Sequence, residues 1–314
     1  MNAIAVVLEQ PERLALSRLD LSPPPGDEDV VVDIDWSGIS TGTERLLWSG
    51  RMPHFPGMGY PLVPGYESVG RIVSAGPGSG REEGQRVFVP GARCFGDVRG
   101  LFGGAASRLV VPGSRVVPIP DDLAERGILL ALAATAYHAV AACSAGCPEL
   151  VVGHGVLGRL IARLTVAKCS KAPTVWERNP IRATGGEGYQ VVDPQDDPRV
   201  DYRSICDVSG DSTVLDGLIA RLAGGGEVVL AGFYDEPLAF SFPPAFMREA
   251  RIRVAAEWAE ADLIAVKEMV EAGHLSLDGL ITHRQDAAQA EAAYQTAFTD
   301  PTCLKMVLDW RDVA

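Results

Sequence analysis

Near the middle of the chain, Val151-Val152-Gly153-His154-Gly155-Val156-Leu157-Gly158 is followed by an apolar helical run and then by Thr174-Val175-Trp176-Glu177. The order is strand, glycine turn, helix, second strand, acid. A strand that feeds a helix and returns as a second strand belongs in a parallel sheet covered on both faces by helices. Each glycine has its own physical reason. Gly153 permits the tight turn, and Gly155 lets backbone N–H groups approach an anion where Val156 and Leu157 open the helix. Gly158 lets that helix pack closely on the strand. Glu177 stands where a carboxylate can accept both hydroxyls of an adenosine ribose. The pattern predicts a dinucleotide site, and the acid favours NAD over NADP because a carboxylate repels a 2′-phosphate. Arg178 works the other way, since an arginine beside the acid tolerates part of that charge.

With 314 residues, 47% of them hydrophobic and 22% charged, the chain has globular composition and the length for two domains. A formal net charge of −13 leaves no basic stripe to neutralise phosphates, so no nucleic-acid partner is expected. The six cysteines show no paired C-x-x-C spacing, which suits a reducing cytoplasm and no disulfide scaffold. Met1 to Gln10 lacks a basic leader region. The longest apolar stretch, Ile128 to Cys143, carries Thr135, Tyr137 and His138 and reads as a buried helix, with no membrane insertion.

From Ala3 to about Pro120, short β-rich runs such as Val30–Ile34, Gly70–Val73 and Arg86–Val89 are divided by Pro and Gly, as in a barrel-like domain. Beyond residue 143 the period changes to alternating strands and helices. Strands are expected at Leu150–Val152, Thr174–Glu177, Gln190–Val192, Ile205–Val208 and Glu227–Leu230. A helix over 262–272, another over 286–298 and a strand at Leu304–Leu308 then return the tail to the first domain. The expected boundaries are 1–132, 133–256 and 257–314. Ligands in open α/β sheets bind beyond the C-terminal strand ends, so Ser209, Gly232 and Phe233 are expected to border the nicotinamide.

This order resembles the medium-chain dehydrogenase/reductase superfamily over essentially the whole chain. The resemblance rests on Pro61-Leu62-Val63-Pro64-Gly65-Tyr66-Glu67 with Val69-Gly70, on Val117–Asp121 ahead of the Thr135-Ala136-Tyr137 helix, and on Leu280–Arg284 with Lys305–Leu308. It implies an α/β protein: a β-rich GroES-like catalytic domain plus a Rossmann doubly wound parallel-sheet domain. It also implies that Thr135 and Arg182 flank the cofactor and that a homodimer forms through the nucleotide-domain edge.

The departures from the family pattern carry chemistry. Zinc members hold their metal with a cysteine, a histidine and a second cysteine. Here those three places read Ser40, Tyr66 and Ala131. Zinc needs three or four N, S or carboxylate ligands converging tetrahedrally, which this set does not supply. The four-cysteine structural lobe is reduced to Cys94 and the glycine-rich loop Gly96 to Gly104. The expectation is a zinc-free enzyme.

Without a metal, some protein group must take or relay the alcohol proton. Thr43 matches the family's hydroxyl relay. Tyr66 either hydrogen-bonds the alcohol or fills the volume left by the metal. Ser40 shares that turn, and Glu67 resembles the acid behind the metal, paired structurally with an arginine near the cofactor. His138 is expected to be a satisfied core or interface histidine.

The run Thr41–Gly50 with Phe55–Glu67 is similar to a pigment-biosynthesis branch of the superfamily. That implies NAD as cofactor and a bacteriochlorophyllide-type small molecule as substrate, its 1-hydroxyethyl group oxidised to acetyl. It also implies a cytoplasmic setting near the photosynthetic membrane. Trp48, Phe55, Met58 and Tyr60, with His54 in the same loop and Phe95 in the shortened lobe, are the candidate substrate residues. Arg45, Arg51 and Arg93 are candidates for its propionate. Two other readings keep the fold: an NADPH-dependent quinone or enoyl reductase, which Glu177 disfavours, and a non-catalytic NAD- or pigment-binding protein.

Overall fold

A computed structural model describes residues 1–141, 143–169 and 171–313. The chain divides into two compact units, Met1–Ala131 with Asp278–Ala314, and Leu132–Leu277.

The first unit is built on β-strands. In chain order these are β1 (Asn2–Gln10), β2 (Arg13–Asp20), β3 (Asp29–Ile39), β4 (Leu62–Val63), β5 (Ser68–Ala75), β6 (Arg86–Val89), β7 (Arg99–Gly100), β8 (Arg108–Pro112) and β9 (Val117–Pro118), with helix α1 (Thr43–Ser49) between β3 and β4. Helix α2 (Leu130–Ala141) leads into the second unit. There β10 (Leu150–Val152), α3 (Val156–Lys168), β11 (Thr174–Trp176), β12 (Gln190–Val192), β13 (Tyr202–Asp207), α4 (Leu215–Arg221), β14 (Leu222–Leu230), α5 (Phe242–Met247), β15 (Arg251–Val254) and α6 (Glu260–Glu271) follow. The tail adds β16 (His283–Asp286), α7 (Ala290–Thr299) and β17 (Met306–Asp309) to the first unit.

In the first unit β3 is the organising strand. Val30, Val31, Val32 and Ile34 are buried, and β3 pairs antiparallel with β5, β8 and β17. Its valine run has the β-branched stiffness that suits a pleated strand. A valine or isoleucine taken fully from water contributes about 1.5–3 kcal/mol, so this strand anchors the unit. Pairing of Met306 with Ile39 and Leu308 with Ser37 carries the C-terminal tail back beside the strand that ends at the candidate site. Trp310 locks that return: it is buried and donates from Nε1 to Ser37 Oγ at 2.8 Å.

The second unit holds one six-stranded sheet in the order β12-β11-β10-β13-β14-β15, every pairing parallel. The winding reverses between β10 and β13, and such a reversal opens a ligand crevice at the C-terminal strand ends.

Two features differ from the sequence expectation. The return to the first unit comes at Asp278, later than residue 257. Residues 257–277 stay with the nucleotide unit because Leu263, Val266 and Leu275 are buried, Asp262 takes His138 Nδ1 at 2.8 Å and Ser276 O accepts from Arg163 at 2.9 Å. Cysteine spacing also misled: Cys147 and Cys169 form a disulfide with Cα atoms 6.4 Å apart. A strand–turn–helix brings the chain back to the sheet end it left, so Cys147 before β10 meets Cys169 at the end of α3. Cys94, Cys143 and Cys206 are free thiols. None of the described helices is long and apolar enough to cross a membrane.

Candidate active site

In the nucleotide unit, Gly153 turns with φ of +102°, a conformation that suits glycine alone. A Cβ on Gly158 would lie 1.9 Å from Gly153 O, whereas a Cβ on Gly155 would meet nothing within 4 Å. Helix and strand therefore touch at Gly158, while Gly155 faces space. Gly155 is the N-cap of α3 and no side chain caps it. The N–H groups of the first turn, from Val156 and Leu157 onward, are left to an anion. Glu177 Oε2 accepts from His154 N at 3.1 Å and Oε1 from Asn179 N at 2.8 Å. These bonds fix the carboxylate at the tip of β11 and leave each oxygen a second lone pair for a ribose hydroxyl.

His154, between the two glycines, is fully buried. Its Nδ1 lies 2.6 Å from Arg182 O and its Nε2 2.9 Å from Tyr189 OH. A carbonyl only accepts, so Nδ1 carries the proton and Nε2 accepts from the tyrosine. Burial pushes the imidazole down to about 4, so it is a neutral strut. Arg159 completes the scaffold, donating to His154 O, Arg182 O, Thr184 O and Gly185 O at 2.7–3.2 Å. Arg182 thus enters this network through its backbone carbonyl. Arg178 is exposed, with Nη1 3.6 Å from Asp211.

At the neighbouring strand end, Asp207 is buried and accepts from Ser209 N at 3.0 Å and from Tyr234 OH at 2.7 Å. Gly232 N donates to Asp207 O at 3.1 Å, and Phe233 beside it is 47% exposed. Ser209 and Gly232 therefore gather around one buried acid that the sequence reading missed, with Phe233 next to Gly232 in the chain. Thr135 lies half-buried on α2, a different element from those strand ends.

In the first unit, three hydroxyls close a triangle. Ser40 follows β3, Thr43 opens α1 and Tyr66 lies in the turn between β4 and β5. Thr43 Oγ1 is 3.0 Å from Ser40 Oγ and 3.2 Å from Tyr66 OH, and Tyr66 OH is 2.9 Å from Ser40 Oγ. Burial, and then the Glu67 charge, hold the Tyr66 phenol well above its ordinary range, so it is a neutral donor and acceptor. Its ring meets Phe102 edge-on, with centroids 5.5 Å apart.

Two buried carboxyls flank this triangle. Glu67 takes Lys305 Nζ at 2.6 Å, which corrects the expected arginine: the residue just before β17 is a lysine, and its Nζ also reaches Ile39 O at 3.2 Å. Gly38 is required there, because a Cβ would lie 2.3 Å from Glu67 Oε2. Glu44, on the first turn of α1, accepts from Ser40 N at 3.0 Å and from Tyr294 OH at 2.5 Å. Burial pushes its carboxyl up to about 7.

The residues at the three family metal places do not fit zinc. Ser40 and Tyr66 offer neutral hydroxyls already bonded to each other, and the third place is the buried methyl of Ala131. Among the described residues no three His, Cys, Asp or Glu side chains converge.

Of the substrate candidates, Trp48, Phe55, Met58 and Tyr60 pack together with Leu14 and Leu46 over buried Leu8, Leu47, Met52, Leu62 and Leu101. Tyr60 donates to Leu47 O, and Trp48 lies 5.7 Å from Phe298 between ring centroids. His54 is exposed in the same loop. Phe95 is a correction: it is 4% exposed in the main core of the first unit, drawn in by its bridge to Ser22. Arg45, Arg51 and Arg93 are exposed. His138 pairs with Asp262.

Tyr294 and Lys305 had no local sequence signal beyond a lysine inside an apolar strand. Their partners lie 250 and 238 positions away.

The alcohol dehydrogenase GroES-like domain family matches residues 26–121. Across the full length, the chain is 56% identical to the 2-desacetyl-2-hydroxyethyl bacteriochlorophyllide A dehydrogenase of Rhodobacter capsulatus, covering 99% of each. It is also 56% identical to the protein of that name from Cereibacter sphaeroides, covering 100% of each. Among solved structures, L-idonate 5-dehydrogenase from Escherichia coli superposes with a TM-score of 0.85 at 18% identity, covering 98% of each chain. The chain therefore belongs to the medium-chain dehydrogenase/reductase superfamily, in the family of those two full-length relatives, and is an alcohol-dehydrogenase-type oxidoreductase.

Proposed function

We propose that this protein oxidises the 1-hydroxyethyl side chain of a bacteriochlorophyllide a precursor to an acetyl group, with NAD as acceptor and without catalytic zinc. The substrate follows from the two full-length relatives. The observation that carries the chemistry is the closed triangle of Ser40, Thr43 and Tyr66 hydroxyls. Bound NAD supplies the hydride acceptor. The residues of the chain do the rest. Glycine turn and α3 N-terminus hold the pyrophosphate, and Glu177 holds the adenosine ribose. Exposed Arg178, drawn toward Asp211, leaves that acid dominant and so supports NAD over NADP. Tyr66 and Ser40 receive the alcohol by hydrogen bonds, and Thr43 passes its proton onward toward solvent. Trp48, Phe55, Met58 and Tyr60 supply an apolar bed for a flat macrocycle.

A homodimer is proposed through β15, the edge strand of the nucleotide sheet. Val254 on it and Phe242, Phe246 and Met247 on α5 are 65–77% exposed, and an unpaired edge with such residues is a template for another strand.

The test is NADH formation with hydroxyethyl pigment and simple secondary alcohols in parallel, each with NAD and NADP. Turnover of pigment with NAD is expected. Turnover of the simple alcohols alone removes the substrate assignment, and preference for NADP removes the role given to Glu177.

A further inference from the structure

The tail of the first unit sends two side chains to the two carboxyls beside the hydroxyl triangle, and it treats them differently. Glu67 receives a cation, Lys305. Glu44 receives only hydrogen bonds, from Tyr294 OH and from the backbone N–H of Ser40. Both acids are buried, at 0% and 1% exposure, so a single lysine serves two carboxyls. The groups that face Glu44 are Glu67, Lys305 and Tyr294, with Tyr66 beyond them.

We propose that Glu44 is a positioning residue whose ionised carboxylate holds Ser40, and with it the hydroxyl triangle, in reactive shape. This rests on the triangle being the proton-handling group of the proposed reaction. Two donors point at one carboxyl, Ser40 N–H at Oε1 and Tyr294 O–H at Oε2. That arrangement belongs to the ionised form, whose charge-assisted bonds are the stronger ones. A protonated carboxyl must turn one oxygen into a donor and loosens the grip on the turn between β3 and α1, where Ser40 and Thr43 stand. Burial, against the pull of the Tyr294 and Ser40 hydrogen bonds and of Lys305, pushes Glu44 up to about 7, so the grip changes within the physiological range. Ionised Glu44 also opposes ionisation of Tyr66, which keeps the triangle neutral and hydrogen-bonded. Tyr294 O–H stabilises the carboxylate, so its loss moves the transition to higher pH.

Two measurements on the full chain test this. The first is carbon-13 NMR of labelled tyrosine across pH 5–9, with the Tyr66 signal assigned from Tyr66→Phe. The Tyr66 signal is expected to shift with a midpoint near 7, the midpoint to rise in Tyr294→Phe, and the shift to vanish in Glu44→Gln. A Tyr66 signal that is flat in the parent protein, or that titrates unchanged in Glu44→Gln, overturns the proposal. The second is the pH profile of kcat/KM for pigment oxidation, expected to fall about tenfold per pH unit below the same midpoint and to lose that limb in Glu44→Gln. A chain that turns over no pigment sinks the functional reading alone, since the Tyr66 signal still decides the role of Glu44.

Discussion

The nucleotide site and the hydroxyl site are built in opposite ways. Around Gly153 the residues that shape the turn lie within one stretch of chain, Gly153, His154, Gly155, Gly158, Arg159 and Glu177, followed by the loop of Arg182 and Tyr189 that holds His154. Around Tyr66 the site is assembled from distant pieces: Ser40, Thr43 and Glu44 from one end of the first unit, Tyr294 and Lys305 from the other. The first is a backbone device, in which glycine geometry and helix N–H groups bind an anion shared by many ligands. The second is a side-chain device, in which hydroxyls and charges from distant parts of the first unit meet. A backbone device tolerates few substitutions at its glycines. A side-chain device can lose a metal and be refitted with hydroxyls while the fold stands.

The sharpest way to break this contrast is Gly158→Val. With a Cβ only 1.9 Å from Gly153 O, the helix must move off the strand. A loss of roughly 4 kcal/mol or more in stability, in the range reserved for severe packing faults, is expected in denaturant unfolding, with NAD binding abolished. Near-parental stability and binding would dismiss close helix–strand packing as the reason for that glycine.

Glu44→Gln probes the other device through linkage. The folded protein holds the Glu44 proton more tightly than the unfolded chain, 7 against 4.5. Its contribution to stability is therefore greatest below the unfolded value and is lost as pH rises toward about 7. The glutamine variant lacks this titration. Between those limits the stability difference is expected to move in favour of the variant by roughly 3 kcal/mol, since each tenfold difference in proton affinity between the folded and unfolded chain corresponds to about 1.36 kcal/mol. Parallel stability curves for the two proteins would show that folding leaves the proton affinity of Glu44 unchanged.

Tyr66→Phe removes one corner of the triangle and leaves the ring against Phe102. A fall in kcat of about 100-fold, the lower end of acid–base contributions, is expected with KM for NAD unchanged. Unaltered turnover would reduce Tyr66 to a filler of the metal's volume. The mildest change, Glu177→Ala, is expected to weaken NAD by about tenfold, the worth of a hydrogen bond to a charged group, with no effect on pigment binding. Equal loss for NAD and NADP would remove its selective role.

The fold was legible because its signals are local. The strand–glycine–helix–strand–acid run gave the parallel sheet, and Val30-Val31-Val32 gave the central strand of the first unit. Ser40, Thr43 and Tyr66 could be named as a group because each occupies a turn with a known place in the superfamily. Their closure into a triangle depends on β5 pairing with β3, and the partners of the two acids beside them depend on the return of the tail through α7 and β17, contacts that no local pattern encodes. Phe95 shows the opposite failure: an aromatic in a glycine-rich loop reads as a pocket wall, yet a single bridge to Ser22 draws it into the core. Cys147 and Cys169 failed in the same way, since their meeting depends on where a strand and helix end in space.

The central claim is that hydroxyls have taken the place of a metal. The most direct test is NADH formation from hydroxyethyl bacteriochlorophyllide by the protein before and after exhaustive chelation, with zinc content measured on the same samples. The account predicts equal rates and no stoichiometric zinc. Activity that disappears with the metal and returns when zinc is restored would contradict it.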